Sequence, residues 1–232
     1  MCISANAAGN NVSAQNQLDI NKYVQIFKGE DSKVKVLFVG NSITRHAPKA
    51  DIGWSGDWGM AASCREKDYV HLVVSALDKR YNGVDYCIAQ AALWEVNYFD
   101  GDKVLNEYYT AARDFDADIV IIRIGENINR DKNKEIPCKP YFADMIKFFA
   151  KNPSAQVIVT DNFWKVEALD KAFGEVIAEN GYTYCHIGDL EDDEKTMAFG
   201  QFEHHGVCLH PSDYGMKCIA DRIIKEVRYE KI

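Results

Sequence analysis

The stretch Val34-Lys35-Val36-Leu37-Phe38-Val39-Gly40-Asn41-Ser42-Ile43-Thr44 joins a short, mostly apolar run to a polar turn. Such a run, rich in β-branched residues and closed by Gly-Asn, reads as a buried strand leading into a tight turn. The same signature recurs at Val84 to Ala89, Asp118 to Ile124, Gln156 to Thr160 and Tyr182 to Ile187. Between these runs the apolar spacing becomes helical, over Cys64 to Tyr81, Lys103 to Asp114, Tyr141 to Lys151, Val166 to Asn180 and Asp213 to Val227. Ser63 followed by Glu66 reads as a capping box, Pro140 suits a first helical turn, and Gly181 suits the left-handed residue that closes a helix. Strand and helix in alternation predict a five-stranded parallel sheet covered on both faces, a three-layer α/β/α sandwich.

Composition agrees with one such domain. The chain has 232 residues, with 27 Lys+Arg against 35 Asp+Glu and a formal net charge of −8. Residues 23–232 are read as a single domain. Residues 1–22, rich in Asn, Ala, Gln and Ser, are read as an N-terminal extension, either a leader remnant or a poorly ordered tail. They lack the basic start and apolar centre of a secretory signal, which leaves the compartment open between cytoplasmic and exported. The acidic balance and the absence of a basic stripe argue against nucleic acid as a partner. No apolar run approaches the roughly 20 residues of a membrane span, so a soluble chain is expected. Seven cysteines without a CxxC pair suggest free thiols.

In parallel α/β sheets, ligands bind beyond the carboxyl ends of the strands. The first strand is followed there by Gly40-Asn41-Ser42, the second by Gln90, Ala91 and then Trp94-Glu95. The third is followed by Gly125-Glu126-Asn127, and the fourth by Asp161-Asn162 and Trp164. All four tryptophans, Trp54, Trp58, Trp94 and Trp164, follow a strand end, which suggests a pocket with a polar floor and aromatic walls. Glu95, Glu126, Asn162 and the tryptophans are therefore candidate pocket residues. Glu95, Glu126, Asp161 and Asp57 would make that pocket acidic and favour neutral substrates. Ser42, in the turn leaving a buried strand, is a candidate nucleophile, and His210, just before the last helix, a candidate general base. Either residue alone is as readily a turn or loop residue.

Taken together, these motifs resemble the SGNH (GDSL-type) hydrolases, esterases and related acyl hydrolases on a flavodoxin-like sandwich. Gly40-Asn41-Ser42-Ile43-Thr44 matches the family's first block with Asn41 in place of Asp. Gly125-Glu126-Asn127 matches the third, and His210-Pro211 the last. The resemblance implies Ser42 as nucleophile, His210 as base and the Asn127 side chain as an oxyanion donor. It implies no cofactor and no metal. Two departures stand out. The loop after the second strand has no glycine, so the second oxyanion donor would be the main chain of Gln90 or Ala91. Val207 stands where the family has the Asp that orients the histidine, which leaves a backbone carbonyl, Glu203, or no orienting group at all.

The function that follows is hydrolysis of short acyl esters, carried by a carbohydrate or another neutral alcohol. A catalytically weak or inactive SGNH-fold protein acting as a carbohydrate-binding or scaffold module is the alternative, motivated by Val207 and the missing glycine. Three further readings carry less. His204, His205, Cys208 and His210 lie close in sequence, yet neighbouring histidines tend to point apart. The glycines form neither dinucleotide nor P-loop fingerprints. Nothing places two of Glu95, Glu126 and Asp161 face to face as a glycosidase needs. The oligomeric state is open.

Overall fold

The computed structural model of the chain describes residues 23–230. The proposed extension over 1–22 lies outside them. Six strands form one sheet: β1 (Val24–Phe27), β2 (Val34–Gly40), β3 (Val84–Gln90), β4 (Ile119–Arg123), β5 (Gln156–Thr160) and β6 (Thr183–Cys185). Their order is β1-β3-β2-β4-β5-β6. The five strands read from the sequence are all present and parallel. The sixth, β1, pairs antiparallel with β3 at the edge. Its VQIF has only half an apolar face, with Ile26 exposed, which is why it does not stand out as a buried strand.

Alternation along β2 divides the core. Val36 and Phe38 face one helical layer, built by α1 (Tyr69–Tyr81) and the last helix (Asp213–Glu226). Leu37 and Val39 face the other. That second layer contains α2 (Ala92–Val96), α3 (Gly101–Tyr108), α4 (Thr110–Asp114), α6 (Lys139–Phe149) and α7 (Glu167–Asn180), while α5 (Arg130–Glu135) buries no residue. A short α8 (His205–Cys208) precedes α9, the Asp213–Glu226 helix. Helices on both faces make this a three-layer α/β/α sandwich. Gly181 closes α7 at φ 68°, and Pro140 lies in the first turn of α6.

The capping box read at Ser63 is not formed. Asp68 caps α1 by accepting from His71 N, whereas Ser63 Oγ donates to Asp213 Oδ2 at 2.8 Å. A fully buried Asp68 that also accepts from Gly59 N at 3.0 Å ties the preceding loop to the helix start, an added bond that local capping preference does not foresee.

The chain leaves β2 toward β3 on one side and β4 on the other, so the carboxyl end of β2 is the topological switch point. Gly40 ends that strand where only hydrogen fits: a Cβ there would lie 1.8 Å from Thr44 Oγ1 and 2.8 Å from Arg123 O. No described helix is long and apolar enough to cross a membrane.

Candidate active site

At the switch point the chain turns tightly, with Thr44 N and Arg45 N both donating to Asn41 O at 2.9 Å. Ser42 sits in this turn, 5% exposed, and its N–H has no acceptor among the described residues. Its Oγ lies 2.9 Å from His210 Nε2. Two residues 168 positions apart are thus brought into hydrogen-bond contact.

His210 Nδ1 lies 2.7 Å from Gly206 O. A carbonyl only accepts, so Nδ1 carries the hydrogen and the Nε2 lone pair faces the Ser42 hydroxyl. Gly206 O is available because the backbone N–H four residues on, that of His210, donates to Val207 O at 3.0 Å instead. Of the two candidate orienting groups, the carbonyl is therefore the one in contact. Glu203 is exposed and makes no bond to His210, which corrects its assignment as a support residue. Val207 is fully buried among Trp54, Met60, Ala61 and Ala198. A carboxylate in that apolar seat would be desolvated without compensation, which accounts for the missing Asp.

The Trp-containing segment after Ser42 folds back as a small hairpin, with bridges His46↔Trp58 and Lys49↔Trp54. Trp54 Nε1 donates to His46 O at 3.0 Å, and the Trp54 and Trp58 rings meet edge to face at 5.7 Å. Both rings mainly anchor this hairpin. Trp94 is fully buried in the second core layer against Tyr98, so it is no pocket wall. Trp164 alone stands against the proposed base, edge to face with His210 at 5.2 Å.

Beneath Ser42 lies a network that was visible in the sequence only as scattered polar residues. Arg123, fully buried, donates to Glu126 at 2.7 and 3.0 Å and also to Asn41 Oδ1. Asn41 Nδ2 donates to Glu126 Oε2 at 2.6 Å and to Glu95 Oε1 at 3.1 Å. Glu95 Oε2 accepts from Asn127 Nδ2 at 2.5 Å. Burial raises Glu126, but the Arg123 guanidinium outweighs it and holds this carboxyl below its usual range. Glu95 and Glu126 are thus structural partners under the turn, not pocket walls. Arg123 was not singled out beforehand; the signal was a lone arginine ending the otherwise apolar run Ile119–Arg123, three residues before Glu126.

Other expectations also change. The Gln90 and Ala91 N–H groups donate to Tyr23 O (2.9 Å) and Gly40 O (2.6 Å), so neither is left for an oxyanion. Asn162 is fully buried and binds Asp170 Oδ1 through both its N–H and its amide, at 3.0 and 2.7 Å. It anchors the first turn of α7 and does not line a pocket. The expected acidic rim is tied up from within: Asp57 pairs with Arg45 at 2.6 Å, and Asp161 Oδ1 accepts from Ile187 N and Gly188 N at 2.6 and 3.1 Å while its Oδ2 lies 2.5 Å from His186 Nδ1. No described group of three His, Cys, Asp or Glu is arranged to hold a metal; His204 and His205 are exposed, and Cys208 Sγ donates to Phe202 O.

Burial lowers His210 to about 3 and His46 to about 4, with the Gly206 and Ala47 carbonyls opposing the shift in each case. Unfolding releases both rings to a value near 6.5, so the unfolded chain takes up protons that the native one refuses. The contribution of these neutral rings is therefore complete above about pH 6.5 and is lost as pH falls toward 4. We expect Tm to fall steadily between about pH 7 and 4, and the slope to be shallower in His46→Gln. Differential scanning calorimetry across that range checks it, and an unchanged slope in the variant contradicts it.

No described protein family matches the chain by sequence, and no curated protein does. Solved structures do match. An acetylxylan esterase from Geobacillus stearothermophilus is 17% identical with a TM-score of 0.54, over 86% of this chain and 96% of that one. A lipase/acylhydrolase from Enterococcus faecalis is 17% identical with a TM-score of 0.57, over 84% and 95%. An acetyl xylan esterase from the rumen bacterium Butyrivibrio proteoclasticus is 15% identical with a TM-score of 0.52, over 85% of this chain and 64% of that one. At these identities the likeness concerns the fold alone, a three-layer α/β/α sandwich around a mostly parallel sheet.

Proposed function

We propose that this SGNH-fold chain is a serine ester hydrolase working through a Ser42–His210 dyad. The observation that carries the reading is the relay from Ser42 Oγ to His210 Nε2, at 2.9 Å, and from His210 Nδ1 to Gly206 O, at 2.7 Å. The carbonyl sets the tautomer in which Nε2 accepts a proton. Ser42 Oγ attacks the ester carbonyl carbon while its proton passes to Nε2. The tetrahedral intermediate collapses, the alkoxide leaves with that proton, and an acyl group remains on Ser42. Water then attacks the acyl carbon with His210 again as base, restoring the serine.

The donors we assign to the negative oxygen are Ser42 N–H, which has no acceptor among the described residues, and the Asn127 amide, whose Nδ2 also donates to Glu95 Oε2. A short acyl group suits a nucleophile only 5% exposed. Carbohydrate as the alcohol is supported by the acetylxylan esterases among similar structures and by Trp164 at the base, whose indole suits a sugar face. His210 Nδ1 meets a carbonyl dipole rather than a carboxylate, so an imidazolium there has no opposite charge in contact. That contact favours the second reading, a fold retained for binding with little catalysis.

A fluorophosphonate probe separates the two. Covalent labelling of the wild type but not of Ser42→Ala supports the hydrolase. No labelling anywhere between about pH 6 and 9, where a neutral histidine is available, rejects it in favour of binding alone.

A further inference from the structure

The buried carboxylate of Glu95 touches no substrate in the chemistry just described, yet it joins three strand ends around the nucleophile. It projects from α2, after β3. Its Oε1 accepts from Gly125 N at 2.6 Å, Asn127 N at 3.2 Å and Asn41 Nδ2 at 3.1 Å; its Oε2 accepts from Asn127 Nδ2 at 2.5 Å. An ionised carboxylate offers about four acceptor positions and no donor, and here four N–H groups converge on it. We propose that Glu95 is a positioning residue for the oxyanion site: as a carboxylate it holds the Asn127 amide and the turn after β4 in register with Asn41 and Ser42. The proposal rests on the esterase reading above.

The bonding makes the role depend on charge. Among the described residues Oε2 accepts from Asn127 Nδ2, so a proton taken up there would set an O–H donor against an amide donor. The Asn127 side chain would then lose that bond. Glu95 is fully buried, and burial together with the neighbouring Glu126 raises it to about 7. The charged and titratable groups facing it are Glu126 and Arg123, from β4 and the turn that follows, and Tyr109, between α3 and α4. The anchored form therefore prevails above neutrality and is lost as pH falls through about 7. His210, held near 3, does not titrate in that window. A neutral-range inflection, ordinarily assigned to a catalytic histidine, belongs here to a glutamate that never meets the substrate.

The test is kcat and KM for p-nitrophenyl acetate from about pH 5.5 to 8.5, measured on the wild type, Glu95→Gln and Asn127→Ala. In the wild type, kcat should fall about tenfold toward the acid end with KM nearly unchanged, since one misplaced oxyanion donor costs roughly 10². In Glu95→Gln, kcat should be about 10- to 100-fold lower at pH 8.5 and flat with pH. The Asn127→Ala profile should also be flat, because Glu95 acts through that amide. A flat wild-type profile overturns the proposal, as does an inflection that persists in Glu95→Gln. Should Glu95→Gln not fold, persistence of the inflection in Asn127→Ala overturns it equally. Absence of probe labelling at Ser42 rejects the esterase itself, whereas labelling with a flat wild-type profile rejects only the role of Glu95.

Discussion

On the proposed dyad, replacing Ser42 with Ala should lower kcat/KM for a short activated ester by roughly 10³ to 10⁵, and His210→Ala should do the same, with the double variant no worse than either. The range follows from the missing carboxylate. In a complete Ser-His-Asp site, losing the serine or the histidine costs about 10⁶, and losing the acid alone about 10⁴. Here Gly206 O preserves the tautomer but supplies no negative charge to an imidazolium, so the proposed enzyme would start from a lower rate and have less to lose. The two residues, in contact at 2.9 Å, would act as one unit, and removal of either would leave only binding and the proposed oxyanion donors. Steady-state kinetics on the three variants checks this. Additive losses, or a drop below about tenfold in Ser42→Ala, would place the chemistry elsewhere.

Gly125→Ala should destabilise the fold by about 3 kcal/mol or more. Gly125 has φ 142°, in a region closed to residues with a Cβ. An added Cβ would lie 2.3 Å from Asn162 Oδ1 and 2.8 Å from the Phe173 ring, which stacks on Phe142 in the core at 3.7 Å. Relief would move either that stack or the turn whose N–H groups bind Glu95. Gly174→Ala, in mid-α7 with nothing within 4 Å of the added Cβ, is the control. It should stabilise by about 0.5–1 kcal/mol, the ordinary Gly-to-Ala gain within a helix. Urea unfolding of both variants checks the pair, and equal midpoints would contradict the strain at Gly125.

How much was legible can be followed residue by residue. Four of the five parallel strands were, because a strand buried on both faces must be apolar along its length, as Ile119 to Ile122 is, whereas β6, an edge with Tyr184 exposed, is marked by its place after a helix closed at Gly181. Their alternation with helices then dictated the sandwich and put Ser42 at a strand end. The edge strand β1 was not, since half of its surface needs no burial. The four tryptophans illustrate the limit well. Each does follow a strand end, but Trp94 turns into the core, Trp54 and Trp58 seat a hairpin, and only Trp164 reaches His210. Sequence places a residue on an element, whereas the direction of its side chain depends on what else packs there.

The polar residues divide in the same way. Local rules identified Gly40-Asn41-Ser42, Gly125-Glu126-Asn127 and His210-Pro211 as motifs, because tight turns and strand ends constrain residue type over short spans. Which carboxylate serves which turn was decided only by tertiary structure. Glu95 meets Asn127 from 32 positions away, and Asn41 meets Glu126 from 85. The orienter of His210 shows the reason most clearly. Every residue has a carbonyl, so no side chain in the sequence marks Gly206 O as the acceptor. In the folded chain Val207 is buried with Trp54, His210 N bonds to Val207 O, and Gly206 O is left to meet the imidazole.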